Sequence, residues 1–284
     1  MRNPIRIAIC VAVALAPCCI AQAQTSSSGS STIPRVMQIT REFVKPGKTG
    51  NAHDKAESAF VRAMEKANWP TYYFALSTLT GRQRVLFLTE YPSFDAWEKD
   101  GKATQKNETL SAALDRAAEA DGELLSEMDQ SVFVFDEDMS LNPRPDLSHM
   151  RFMEVSLYHV RPGHEAEWKE VVSMVKAAYQ KGIPDAHWGL FRQMFGGEGQ
   201  AYLVLTAHPS LDEIDKDLMN DKKFAAAMGE EGMKKLDNLF GSAVDVYQHN
   251  LFAFSPRMSY PPRDWVKADP DFWTPKPMPD EKKH

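Results

Sequence analysis

Cysteine is nearly missing from this chain, and where it occurs it is confined to the start. The 284 residues hold three, Cys10, Cys18 and Cys19, and none follows. Arg2 and Arg6 precede a short apolar run, Ile7 to Leu15, and Ala21 and Ala23 supply small residues that a signal peptidase would read. The pattern predicts a signal peptide over 1–23, export to the periplasm or beyond the cell, and a Ser-rich linker over 24–33. Cleavage after Ala23 removes every thiol. The mature chain then has no disulfide, no cysteine nucleophile and no thiolate metal site. Lipid attachment at Cys18 or Cys19 is the alternative, and Pro17 before Cys18 argues against it.

Long hydrophobic runs are missing too: no later stretch approaches about 18 uninterrupted apolar residues, so no integral membrane segment is expected after cleavage. Positive charge is in short supply. The formal net charge is −6, and loss of Arg2 and Arg6 takes it to −8. A chain this acidic gains nothing from counterion release, which excludes nucleic acid as the expected partner. The chain contains no HExxH, no GxSxG, no P-loop and no GxGxxG leading into a helix. Gly196-Gly197-Glu198-Gly199 reads as a turn between strands. His159 and His164 flank the Pro162-Gly163 turn with Glu165 and Glu167 nearby, but a turn imposes no ligand geometry, and no metal site is expected.

What the chain does have is a copy of itself. Val44-Lys45-Pro46-Gly47 returns as Val160-Arg161-Pro162-Gly163, and Leu86 to Ser93 returns as Leu203 to Ser210. Phe133-Val134-Phe135 returns as Phe252-Ala253-Phe254. The offset drifts through 116, 117 and 119 residues, as loops lengthening between fixed elements would make it. The chain is read as a duplication, with one repeat over 34–145, a second over 149–264 and a Pro-rich tail over 265–284.

Each copy carries the same order of signals. A strand alternates Met37, Ile39 and Phe43 with polar residues, or Met153, Val155 and Leu157 in the second copy. A Pro-Gly turn follows, then a helix. Its apolar positions read as Ala52, Ala56, Phe60, Ala63/Met64 and Ala67, or Trp168, Val171/Val172, Val175 and Ala178/Tyr179. Pro70 and Pro184 stop these helices. Two strands joined at Gly81, or at the Gly196 turn, come next. A Pro-Ser pair then opens a helical stretch expected to reach Met128 and Phe240. A fourth strand ends in Phe-x-Phe. The tail from Trp265 reads as an extended arm that its prolines keep from being helical.

The order β-α-β-β-α-β is the split βαβ, ferredoxin-like unit. The fold class is therefore α+β. Val85, Phe87, Thr89 and Tyr91, with Tyr202, Val204, Thr206 and His208, read as a bare sheet face that is half apolar. The simplest cover is for the two units to pack sheet to sheet as an intrachain α+β barrel.

With this order, the duplication and the segment VLFLTEYPSFDAW (85–97), the chain resembles the dimeric α+β barrel superfamily. That superfamily includes antibiotic-biosynthesis-type monooxygenases, stress-responsive barrel proteins, NIPSNAP-like domains and chlorite-dismutase-like haem proteins. The resemblance covers about 34–264 and implies a fold; activity carries over only by association.

A small-molecule ligand is expected between the sheets. Strand parity nominates Glu42, Thr89, Tyr91, Trp188, Arg192 and Thr206 as its contacts, and His208 with Tyr158 and Tyr202 as the groups for proton transfer. Non-catalytic binding, with no cofactor, leads. Oxygenation without a cofactor is the alternative, and a haem barrel using His159, His187 or His208 is the third reading. A homo-oligomer stays open.

Overall fold

The computed structural model describes residues 34–143 and 145–276. The expected signal peptide and linker lie outside the described residues. In the first copy, β1 (Val36–Val44) leads to α1 (Asn51–Ala67), β2 (Tyr73–Thr78), β3 (Val85–Tyr91), α2 (Phe94–Lys106), α3 (Glu108–Gly122) and β4 (Leu125–Leu141). The second repeats this as β5 (Phe152–Val160), α4 (Glu165–Gly182), β6 (Trp188–Phe195), β7 (Gln200–His208), α5 (Leu211–Met228), α6 (Glu230–Ala243) and β8 (Val244–Tyr260).

The local signals act as their chemistry requires. Gly47 and Gly163 take φ of 80° and 85° in the two Pro-Gly turns, a region closed to most side chains. Ser93 caps α2 by accepting from the Ala96 amide at 3.1 Å. Two boundaries differ from expectation. The helical stretch of the first copy stops at Gly122, and Met128 lies in β4. Strands β4 and β8 also run on past their Phe-x-Phe pairs, because each is needed by both copies.

All eight strands close into one antiparallel barrel, in the order β1-β3-β2-β8-β5-β7-β6-β4. The copies join by their edges. Leu76 of β2 pairs with Phe254 of β8, and Phe135 of β4 pairs with Phe191 of β6. Closure removes the open edges that invite aggregation. The duplication is visible in the pairing itself. Phe133 stands opposite Met37 and Phe252 opposite Met153, while Leu86 stands opposite Arg41 and Leu203 opposite Leu157.

The barrel interior is filled. Met37, Leu76, Leu88 and Phe133 of the first copy meet Met153, Phe191, Leu203 and Phe252 of the second in one buried cluster. Burying each such side chain stabilises the fold by about 1.5–3 kcal/mol. This corrects the expected parity. Leu86 and Leu88 face the other sheet, whereas Val85 and Phe87 belong to a separate cluster with Ala75 and Met258 on the helix side.

The tail is also corrected. Over the described residues up to 276, the chain forms two short helices here, α7 (Arg263–Ala268) and α8 (Pro270–Trp273). Pro270 is tolerated because it sits in the first turn, where its missing N–H has no partner to lose, and Asp269 caps the helix. Trp273 is 4% exposed and joins the barrel cluster, with Trp265 and Phe272 packed beside it.

One ionisable group follows Leu86 and Leu88 on the inward side of β3. Glu90 stands where the second copy has buried Ala207, and burial raises its carboxyl to about 7. The folded chain thus keeps a proton that the unfolded chain releases near pH 4.5, so this group's contribution falls as pH rises from about 4.5 to 7. Glu90→Gln should gain on the order of 1–3 kcal/mol over wild type at pH 8 and nothing at pH 4, in urea unfolding. Equal differences at both pH values would refute the assignment.

Candidate functional site

Because the interior is packed, open space lies outside it, and each copy has a cavity between its sheet's outer face and its own helices. The larger cavity, about 1000 Å³, belongs to the second copy. Strands β5, β6 and β7 form its floor and α4, α5 and α6 its roof. Alternation on β5 turns Glu154, Ser156 and Tyr158 to this side, and β7 turns Val204, Thr206 and His208.

One wall is aromatic. Tyr158 lies 5.1 Å from Trp168 and 6.2 Å from Phe240, and Tyr179 meets Trp188 edge-on at 5.4 Å, all centroid distances. Trp188 is fixed by its indole N–H, which donates to the Met139 carbonyl at 3.0 Å. The far end is polar. His208 is 3% exposed, with Nε2 3.3 Å from Glu154 Oε1 and Nδ1 3.9 Å from Asp217 Oδ2. The Glu154 contact is off the line of a hydrogen bond, which leaves Nε2 buried without a hydrogen-bond partner. His208 nevertheless holds the Glu154 carboxyl below its ordinary range. Burial pushes Asp217 up. His249 reaches the other Glu154 oxygen at 3.5 Å, and its Nδ1 is 2.6 Å from Ser156 Oγ. His187 is tied by Nε2 to the Ala207 carbonyl at 2.8 Å. Carboxylates thus stand at both ring nitrogens of His208.

The residues nominated from sequence are divided by the structure. Tyr158, Trp188, Thr206 and His208 line the second-copy cavity. Glu42 and Thr89 line a pocket of about 560 Å³ in the first copy. Tyr202 lies behind the cavity wall, 1% exposed and 5.2 Å from Trp168. Tyr91 donates to Asp100 at 3.2 Å and stacks on Trp97. Arg192 is exposed on β6. Among the described residues the space between the sheets is filled by the buried cluster, and the two cavities lie outside it. Glu154, Asp217 and His249 were not nominated. Glu154 could have been found, because its pairing with Thr206 puts it on the face that carries His208.

The first-copy pocket has a different character. Glu42 of β1, His53 and Glu57 of α1 and Asp121 of α3 are all buried, with one donor atom of each within 4.8 Å of the others. His53 Nε2 is 3.2 Å from Glu42 Oε2, 3.3 Å from Asp121 Oδ1 and 4.0 Å from Glu57 Oε1. Burial, then the neighbouring Glu42 and Asp121, raises Glu57 well above the usual carboxylate range. Burial, then Glu42, lifts Asp121 to about 6.

No family model matches the chain, and no curated protein matches it by sequence. Solved structures do. An anthrone oxidase-like protein superposes with a TM-score of 0.52 at 13% identity, over 80% of this chain and 93% of its own. A candidate monooxygenase from Fusobacterium nucleatum superposes at 0.51 and 9% identity, over 78% and 93%. At these identities the likeness is one of fold. The fold is an α+β barrel in which two ferredoxin-like units on one polypeptide close a single eight-stranded sheet. Among the described residues no helix is long and apolar enough to cross a membrane.

Proposed function

We propose that this chain is an exported small-molecule-binding barrel whose ligand occupies the helix–sheet cavity of the second copy. The observation that carries the reading is the composition of that cavity: an aromatic wall ending at Glu154, His208 and Asp217. Such a site suits a flat, largely apolar molecule with one hydroxyl or other weak acid directed at the His208 end. Mass spectrometry of the purified protein tests both parts at once. Organic extraction should release a ring-containing compound, and the intact mass should correspond to a chain beginning at Gln24.

Val204 lines the cavity floor, half-buried, on a strand that accepts aromatic residues. Val204→Phe should fill the space and weaken binding of the extracted compound roughly tenfold or more, with little change in melting temperature. Quenching of Trp168 and Trp188 fluorescence reads the affinity. Unchanged affinity in Val204→Phe would place the ligand elsewhere.

The environment of His208 favours a second reading, oxygenation of such a ligand without a cofactor. A base that removes the ligand's acidic proton leaves an electron-rich anion in a largely apolar cavity. The names of the anthrone oxidase-like and monooxygenase structures agree with this chemistry. Ligand-dependent oxygen uptake distinguishes the two readings.

A further inference from the structure

The pocket of the first copy holds a group of side chains that the small-molecule reading does not use. Glu42, His53, Glu57 and Asp121 converge from three elements, and each is less than a tenth exposed. Their bonding is incomplete. Glu42 is the one carboxylate hydrogen-bonded to the His53 ring, and Glu57 Oε1 and Asp121 Oδ1 are buried with no hydrogen-bond partner. The Tyr73 hydroxyl beside them is likewise buried and unpartnered. Leaving such atoms unpaired costs about 1–3 kcal/mol each, and more for charged groups. Three carboxyls crowded around one imidazole also repel one another, which with burial raises Glu57 and Asp121 above the usual carboxylate range.

The fold does not require this arrangement, because the other copy does without it. By strand register Glu42 corresponds to Tyr158, each opposite equivalent residues of its two neighbouring strands. By the buried faces of the helices, His53 and Glu57 correspond to Trp168 and Val172, and Asp121, four residues before the strand partner of Val44, corresponds to the half-buried Phe240, four before that of Val160. The second copy packs tyrosine, tryptophan, valine and phenylalanine where the first places four potential ligands. A purely structural role would have been served by the apolar set.

We propose that Glu42, His53, Glu57 and Asp121 form a binding site for one first-row divalent transition-metal ion. Ligand atoms about 2.0–2.1 Å from a tetrahedral ion lie about 3.3 Å from one another. The distances from His53 Nε2 to Glu42 and Asp121, 3.2 and 3.3 Å, already match, while Glu57 at 4.0 Å, in a set that spans up to 4.8 Å, moves inward on binding. One imidazole with three carboxylates suits zinc, iron, manganese or cobalt, whereas calcium and magnesium prefer an all-oxygen set. Glu42, Glu57 and Asp121 line the 560 Å³ pocket with Tyr73, so an ion held there faces open space from which it is reached. Without the ion, burial and mutual repulsion leave Glu57 and Asp121 protonated more readily than free carboxyls.

The test uses the full purified chain, stripped with a chelator and then titrated with Co²⁺ and Zn²⁺. Elemental analysis after desalting should give one ion per chain, Co²⁺ should develop visible absorption bands, and melting temperature should rise with either ion. Glu57→Gln and His53→Gln, which preserve size, should each weaken binding by at least roughly 10–100-fold. His164→Gln, at a half-buried His–Glu pair where α4 begins, should bind as wild type does. Should one variant fail to fold, the other and the wild-type stoichiometry still decide. The proposal is overturned if folded wild-type protein retains no stoichiometric Co²⁺ or Zn²⁺. It is equally overturned if folded Glu57→Gln or His53→Gln binds as tightly as wild type, or if His164→Gln abolishes binding.

Discussion

Trp273→Ala should lower the free energy of unfolding by about 3–5 kcal/mol, the range for emptying a buried tryptophan site. For a chain of this size that corresponds to a fall of roughly 6–20 °C in melting temperature. The ring stands edge-on to Phe254 at 6.1 Å and Phe272 at 4.9 Å, and 5.3 Å from Trp265. Its indole N–H donates to the Ser148 carbonyl at 2.8 Å, which would lose a buried partner. The same residues hold α8 in place. Asp269 pairs with Arg151, whose guanidinium lies 3.9 Å over the Phe272 ring. Trp273→Phe should fall between the two, since it keeps most of the ring contact and loses the hydrogen bond. Thermal and urea unfolding measure both. A loss under about 1 kcal/mol for Trp273→Ala would mean that the tail is an appendage and not part of the core.

His208→Gln has the largest expected effect on function. Glutamine retains the approximate size and hydrogen bonding of the ring but cannot take a proton. Under the oxygenation reading, turnover should fall by roughly two to four orders of magnitude, the usual contribution of a positioned base. If the cavity only binds, the loss should be on the order of 1 kcal/mol of affinity, about one hydrogen bond. Melting temperature should fall modestly, because Glu154 loses the partner that lowers its carboxyl, so affinity and turnover are compared on protein shown to be folded at the assay temperature. Oxygen uptake and fluorescence titration on the same preparation separate these outcomes. A variant that matches wild type in both would remove His208 from the site.

The duplication was legible because strand ends, Pro-Gly turns and Phe-x-Phe pairs keep their spacing under divergence. Which side of each strand faces which layer was not. β3 is covered on one side by helices and on the other by the opposite sheet, so Val85 and Phe87 read the same as Leu86 and Leu88. Alternation gives a period, and a doubly covered strand gives it no sign. Helix α1 misleads for the converse reason. Its buried face carries His53, Glu57 and Ser58, whereas the apolar stripe through Ala52 and Ala56 turns the helix away by one residue. Alignment with Trp168 and Val172 of α4 would have exposed the discrepancy. The nine nominated residues were therefore assigned to one cavity, whereas six of them line two and Tyr91, Tyr202 and Arg192 line neither.

The seam between β2 and β8 also dictates an order of events during synthesis. β2 is complete by Thr78, yet its outer partner runs from Phe252 to Tyr260, near the far end of the chain. Until that segment emerges, β2 is an open strand edge presenting Phe74 and Leu76. Pairings this distant in sequence slow folding and lengthen the exposure of such edges. The first copy therefore cannot finish ahead of the second. A nascent or truncated chain lacking β8 would be held open at a surface prone to pair with its neighbours.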